Sequence, residues 1–377
     1  MSITLPFLER LISYKSVSKE PIVPLASYLA EHAESLGFDV SLYESQPGKV
    51  NVVAHLGPRD EGGLALCGHM DVVPVKNQTW SRDPFVLYKD GDLAYGRGTC
   101  DMKGFIAAVY SALQRINPSQ MKKGLSLVWT HDEEIGCVGA QKLCETLQKN
   151  EVSLPQSMLI GEPTSSNICR MHGGHSTLEI SFRGEPAHSS KPHLGRSAIS
   201  AAVQAIRKIE EIQLLFAHQP CPHPEMQECC SLIHVAQIRG GEAINIVPEH
   251  CSILVGIRPM PGAEFSSIME QIDHALHSIS MQTKVHIEKT LLQHAPALLT
   301  PDHTLLAASL KTLHPTAQSI GVPFATDGGC FQEIGCLPIV FGPGSINQAH
   351  KADEFISIKE LLSYEELLYK LIYKWCL

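Results

Sequence analysis

Apolar positions recur at helical spacing near the start of the chain, first Leu8, Leu11 and Ile12, then Leu25, Tyr28, Leu29 and His32. They predict two amphipathic helices ahead of a strand in "FDVSLYES". "NVVAHLG" and "GLALCGH" are short unbroken apolar runs, the pattern of strands buried on both faces. Residues 103–116, "KGFIAAVYSALQRI", contain no Gly or Pro after Gly104 and stop at "NPS", so a helix is expected there. "GLSLVWTHDEEIG" and "SMLIGEPTS" repeat one design, an apolar strand that ends on polar, mostly acidic residues. Buried strands alternating with helices predict an α/β domain with a mixed, largely parallel sheet, helices on both faces, and chemistry at the C-terminal strand edge.

The pattern changes after residue 172. Ser176, Leu178, Ile180 and Phe182 alternate along a strand, and "SAISAAVQAIRKIEEI" reads as a helix. "CSLIHVAQIRGG" and "HCSILVGIRPMPG" follow as strands and "FSSIMEQIDHALHSI" as a helix, a small α+β unit of ferredoxin-like kind. Residues 214–231, rich in Pro, Cys and His, are read as a loop. From about residue 288 the first style resumes, with "HTLLAASLKTLH" as a helix, "LPIVFGPG" as a strand and "IKELLSYEELLYKLIYKW" as a closing helix. The expected layout is a catalytic domain from residues 1–172 and 288–377, with residues 173–287 inserted as a smaller domain.

A length of 377 residues exceeds what one growing core accommodates, in keeping with two domains. Apolar residues at 44% and charged residues at 18% give an ordinary globular balance. A net charge of -9, without a basic stripe, argues against nucleic acid and anionic membranes as partners and favours small molecules. Twelve Cys without a CxxC pair read as reduced thiols. "MSITLPFLERLISYKSVS" contains Glu9 and no long apolar core, so neither a secretion signal nor a membrane anchor is expected, and the cytoplasm is the expected location.

"LALCGHMDVVPV", residues 64–75, places His69 and Asp71 two positions apart, on one side of an extended chain. Asp101 in "GRGTCDMKG", Glu133 and Glu134 in "THDEEIG", Glu162 in "IGEPT" and His350 in "GSINQAH" add ligand types at other strand ends. Buried carboxylates converging there would repel one another unless cations compensated them. Imidazole with carboxylate suits zinc, cobalt or manganese. His69, Asp101, Glu134, Glu162 and His350 are too many for one tetrahedral ion but serve two if one carboxylate bridges. Two divalent ions, three carboxylates and a hydroxide are then electrically neutral. Asp71 is assigned to hold the free ring nitrogen of His69. HExxH, P-loop and GxSxG motifs are absent, and "GRGTCD" lacks the third glycine of a dinucleotide loop.

At these positions the chain resembles the M20 metallopeptidase and deacylase family. The likeness runs through "GHMDVVP", "YGRGTCDMKG", "THDEEIG", "LIGEPT", "GEPAHSSKPHLGRSAI", "INIVPEHCSILVGIRPMPG" and "FGPGSINQAHKADEFI", nearly the whole length. The resemblance implies two Zn2+ ions per subunit, replaceable by Co2+, with His69 and Glu162 on one, Glu134 and His350 on the other, and Asp101 bridging. It also implies a cis Asp101–Met102 peptide and Glu133 as proton shuttle. His188 in "GEPAHSS" resembles a histidine that reaches a partner subunit's site, which implies a homodimer formed through the inserted domain, acting also as a lid.

"GPGSINQAHKADE" and "RPMPG" resemble the branch that removes the acetyl group from N2-acetyl-L-ornithine in arginine biosynthesis. The implied reaction is attack on that amide by a metal-bridged hydroxide, with Glu133 moving the proton. Desuccinylation of succinyl-diaminopimelate, or cleavage of another N-acyl amino acid or dipeptide, is the alternative within the group. A silent metal-binding dimer is the alternative outside it, and the intact Glu133 argues against that. Arg258 reads as a clamp on the substrate carboxylate or as a surface ion pair, and Asn245 as a substrate donor or a turn cap. Asp327 in "FATDGGCFQEIG" reads as a partner for an ornithine ammonium or as a turn aspartate; the family often has "TEA" where this chain has "TDGG". Lys103, beside Asp101, reads as a residue near the metals or, in preference, as a helix-start lysine pointing to solvent.

Overall fold

The computed structural model describes residues 2–59, 62–218, 223, 225–226 and 230–377. Two compact units emerge: Met1–Met171 with Leu299–Gly321 and Thr326–Leu377, and His172–Leu298 with Val322–Ala325. Among the described residues no helix is long and apolar enough to cross a membrane.

The first unit is built on a mixed sheet whose centre is parallel. Leu64–His69 pairs in parallel with Leu125–Thr130 on one side and Ser157–Ile160 on the other, and Ser157–Ile160 pairs in parallel with Leu337–Val340. Antiparallel pairs flank this centre, Lys49–Leu56 against Leu125–Thr130 and Ile168–His172 against Leu337–Val340. Four neighbouring strands therefore end at the same edge, with His69 opposite Thr130 and Cys67 opposite Ile160 in register. Every residue of Leu64–His69 and Leu125–Thr130 is buried, as unbroken apolar runs require.

Alternate residues of Leu64–His69 face opposite layers. Leu64 and Leu66 join a core with helices Thr4–Ser13, Lys103–Leu113 and Ile358–Cys376, whereas Cys67 lies near Cys144 of helix Val138–Lys149. Lys103–Leu113 is buried all round, and Phe105 meets Trp129 and Tyr364 edge-on at 6.3 and 6.1 Å. Its last turn ends at Leu113, three residues short of the expected end at 116. Helix Val138–Lys149 went unread in the sequence: its start is a left-handed Cys137 rather than a capping side chain.

The second unit runs strand, helix, strand, strand, helix, strand. Its antiparallel sheet has the order Leu232–Gly240, His250–Arg258, His175–Arg183, His286–Ala295. Helices Ala198–Ala217 and Phe265–Thr283 cover one face through Ile209, Ile212, Ile268 and Ile272 against Leu178, Ile180 and Val255. This is the expected ferredoxin-like arrangement. The expected boundary at 287 falls inside the fourth strand, which is exposed along most of its length and shows no apolar alternation to read. Of the loop expected at 214–231, residues 214–217 continue the helix Ala198–Ala217. Residues 219–222, 224 and 227–229 lie outside the described residues.

Candidate metal centre

The parallel strands deliver their polar ends to one place. His69, the last residue of its strand, is buried, and its Nδ1 lies 2.9 Å from the carbonyl oxygen of Asp71. A carbonyl only accepts, so Nδ1 carries a proton, and Nε2 is the ring atom that faces the carboxylates. Nε2 lies 3.0 Å from Asp101 Oδ1 and 3.6 Å from Glu162 Oε1. Asp71 thus orients the ring, but through its backbone: its carboxylate is 3.7 Å from Nδ1. That carboxylate instead accepts from Glu133 N–H at 3.0 Å and from the Ser18 hydroxyl at 2.8 Å, so it fixes the acidic turn after Leu125–Thr130.

Asp101 divides its two oxygens between two histidines. Oδ1 faces His69, and Oδ2 lies 3.2 Å from His350 Nε2, which is also 2.8 Å from Glu134 Oε2. The Asp101–Met102 peptide is cis. Ligand atoms of His69, Asp101 and Glu134 lie within 4.8 Å of one another, as do those of His69, Glu133 and Glu162. Glu162 follows Gly161, where a Cβ would come within 2.1 Å of the Phe105 ring, so glycine permits this close approach.

The electrostatics are those of crowded acids. Burial pushes Glu133 and Glu162 well above the ordinary carboxylate range and Glu134 up to about 7, aided in each case by neighbouring carboxylates. Burial also works on Asp101, but hydrogen bonds from His350 and His69 outweigh it and hold Asp101 low. Asp101 and Glu134 raise His350 to about 10. In His69 burial acts downward, yet the charges of Glu162, Asp101 and Glu133 raise it well above the usual imidazole value. Glu134 Oε1 is buried without a hydrogen-bond partner among the described residues. Such a cluster is costly for the protein alone and fits divalent cations. The donor set, two imidazole nitrogens and carboxylate oxygens without thiolate, fits two zinc-type ions. His69 with Glu162 and His350 with Glu134 form two half-sites, and Asp101 lies between them.

Glu133 meets Cys137, whose thiol donates to Glu133 Oε1 at 3.6 Å, and both group with Asp327. Asp327 carries two sequence readings, an ammonium partner and a turn aspartate. It precedes the short helix Gly328–Glu333 and is buried; Oδ2 accepts from the Thr130 hydroxyl at 2.5 Å, and burial raises its carboxyl to about 6. Lys103 departs from expectation: it is fully buried, and Nζ donates to the carbonyls of Leu11 and Tyr14 at 3.0 and 2.9 Å. Sequence reasoning missed Glu354 and Arg97 as well, although both stand in motifs quoted above, "GRGTCDMKG" and "HKADEF".

His188, Asn245 and Arg258 belong to the second unit. His188 is exposed; the Ser190 N–H donates to its Nδ1 at 3.1 Å, so the neutral ring carries its proton on Nε2. His188 forms an isolated antiparallel bridge with Ile246, and the Asn245 carbonyl accepts from Ser189 N–H at 2.9 Å, which brings these two segments together. Arg258 ends the strand His250–Arg258 and lines a cavity of about 200 Å3 with Leu232, Met260 and Pro323.

Residues 65–374 match the profile of peptidase family M20/M25/M40. Acetylornithine deacetylase from Pectobacterium carotovorum is 34% identical over 364 residues, 93% of this chain and 91% of that protein. Acetylornithine deacetylase from Vibrio atlanticus is 32% identical over 351 residues, covering 92% and 90%. Among solved structures, a tripeptidase from Staphylococcus aureus superposes with a TM-score of 0.76 at 21% identity, covering 98% of each chain. A dinuclear metal-binding M20 peptidase from Bacillus subtilis superposes at 0.68 with 16% identity, again covering 98% of each. The chain belongs to peptidase family M20/M25/M40, hydrolases that are typically dinuclear-metal-dependent.

Proposed function

We propose that this protein hydrolyses N2-acetyl-L-ornithine to L-ornithine and acetate, a step of arginine biosynthesis, using two Zn2+ ions per subunit for which Co2+ can substitute. The observation that carries the metal reading is Asp101, whose oxygens face His69 at 3.0 Å and His350 at 3.2 Å. His69 and Glu162 would hold one ion, Glu134 and His350 the other. The named substrate rests on the deacetylases that match over most of the chain. Bound there, the ions supply Lewis acidity toward an amide carbonyl and toward water.

The chain's own residues supply the rest. Glu133, anchored at its N–H by Asp71, takes a proton from the attacking water and returns it to the departing amine. His188, with its proton on Nε2, donates to the oxyanion of a partner subunit's site in a homodimer formed through the second unit. Arg258 holds the substrate α-carboxylate in its planar fork, and Asn245 adds a hydrogen bond. Free thiols at the described cysteines support a reducing compartment, the cytoplasm.

The test is amine release from acetylornithine, succinyl-diaminopimelate and several N-acyl amino acids by metal-stripped enzyme titrated with Zn2+ or Co2+. Turnover that needs metal and favours acetylornithine supports the reading. Preference for the succinylated compound overturns the substrate but leaves the chemistry.

A further inference from the structure

Glu354 is buried, and both of its carboxylate oxygens are fully engaged. Oε1 accepts from the N–H groups of Cys100 and Asp101 at 2.8 and 3.1 Å; Oε2 accepts from Gly98 N–H at 3.0 Å and from Arg97 Nη1 at 2.6 Å. A buried carboxylate with four donors is compensated, and it clasps the backbone of the bridging aspartate. Arg97 carries the connection onward. Its Nη2 donates to Gln78 Oε1 at 2.7 Å, its Nη1 reaches the Lys351 carbonyl at 3.3 Å, and its guanidinium lies 5.0 Å from the Trp80 ring. Gln78 Nε2 then donates to the carbonyl of His350 at 2.7 Å.

This last contact falls where the backbone needs help. His350 has φ 64, a left-handed conformation that disfavours any residue with a Cβ. Nearby, Asp353, also left-handed at φ 54, is tied to the backbone and hydroxyl of Ser81 at 2.9 Å each. The segment bearing His350 is thus strapped to residues 78–81, and the relay from Asp101 to His350 closes through Glu354, Arg97 and Gln78.

We propose that Glu354, Arg97 and Gln78 are positioning residues that hold the bridging Asp101 and the His350 backbone in one hydrogen-bonded relay, so that occupancy of the His350–Glu134 half-site depends on Gln78. Gln78 reaches that half-site through a main-chain carbonyl and no ligand atom. The inference rests on the two-ion reading given above. Partners one step removed from the ligands commonly change metal affinity by about 10- to 100-fold when replaced.

The test measures binding of Co2+ alone, by calorimetry and visible absorption, to the metal-stripped full chain as wild type, Gln78→Glu and Glu354→Gln. Gln78→Glu keeps the acceptor for Arg97 but has no N–H for the His350 carbonyl, and its added negative charge by itself would favour a cation. Wild type is expected to take two ions. Gln78→Glu should lose about 10- to 100-fold in affinity for one ion only. Its metal-free melting temperature and KM should be unchanged, and excess Co2+ should restore its kcat. Glu354→Gln should weaken both ions, and if it does not fold, Gln78→Glu decides alone. Two ions bound as tightly by Gln78→Glu as by wild type overturn the inference and leave the two-ion reading standing. Equal weakening of both ions with a lowered melting temperature in Gln78→Glu also overturns it, since that is general loosening. One ion or none in wild type overturns both.

Discussion

Replacing Lys103 with Met separates two opposed effects of one buried side chain. Burial brings the Lys103 ammonium from its ordinary 10.5 down to about 7, although Glu354 and Asp71 act in the opposite direction. At about 1.4 kcal/mol per pH unit, a displacement of that size corresponds to about 5 kcal/mol against the charged, folded form. Above pH 7 the folded chain has released a proton that the unfolded chain keeps until about pH 10. Stability therefore rises with pH through that window and falls again as pH drops through 7. Lys103→Met abolishes this slope. It also removes the Nζ donor from the Leu11 and Tyr14 carbonyls, which still accept from the N–H groups of Tyr14 and Ser16 at 3.2 and 2.9 Å, a loss of about 0.5–1.5 kcal/mol each that does not vary with pH. Trp80, Trp129 and Trp375 all lie in the first unit, so tryptophan fluorescence during urea unfolding reads this unit. Between pH 7 and 9 the stability of wild type relative to Lys103→Met should grow by about 2 kcal/mol. Parallel stability curves across that range would refute the assignment of a depressed lysine.

Glu133→Gln should retain two bound ions, counted by elemental analysis, while turnover falls by about 10²–10⁴-fold; loss of metal in this variant would make Glu133 a ligand. Gly342→Ala places a Cβ 2.1 Å from the Gly161 carbonyl oxygen and 2.4 Å from that of Glu162. Both are backbone atoms that cannot yield cheaply, so calorimetry should show a clear drop in melting temperature, with weakened metal binding at Glu162. A melting curve and metal affinity like those of wild type would contradict this close approach. Mixing inactive His188→Ala and Glu133→Gln subunits should recover activity, because a hybrid dimer joins an intact base with an intact histidine from the other subunit. No recovery after subunit exchange is shown would place His188 outside a partner's site.

The convergence of the acidic and histidine side chains was legible because strand ends are simple to read. Apolar runs such as "GLALCGH" and "SLVWT" bury themselves, and the polar residues that follow must collect at a shared edge. His69, Asp101, Glu134, Glu162 and His350 are brought together on that basis. What stayed hidden depends on contacts across long sequence separations. Glu354 and Arg97 form a buried pair that neither local pattern announces, and Lys103 is covered because its side chain crosses to the end of helix Thr4–Ser13. The Asp71 role turned on a backbone carbonyl, which no sequence motif distinguishes from a carboxylate. The burial of Asp327, whose carboxylate accepts from the Thr130 hydroxyl, is not announced by the glycines beside it. Strand His286–Ala295 went unread for the opposite reason, since an exposed edge leaves no apolar period.

Anomalous scattering at the zinc edge, from crystals of active and unchelated enzyme, tests the central claim most directly. Two transition-metal peaks flanking Asp101 are predicted, one beside His69 and Glu162 and the other beside Glu134 and His350. Active enzyme with no transition metal at these residues would contradict the account.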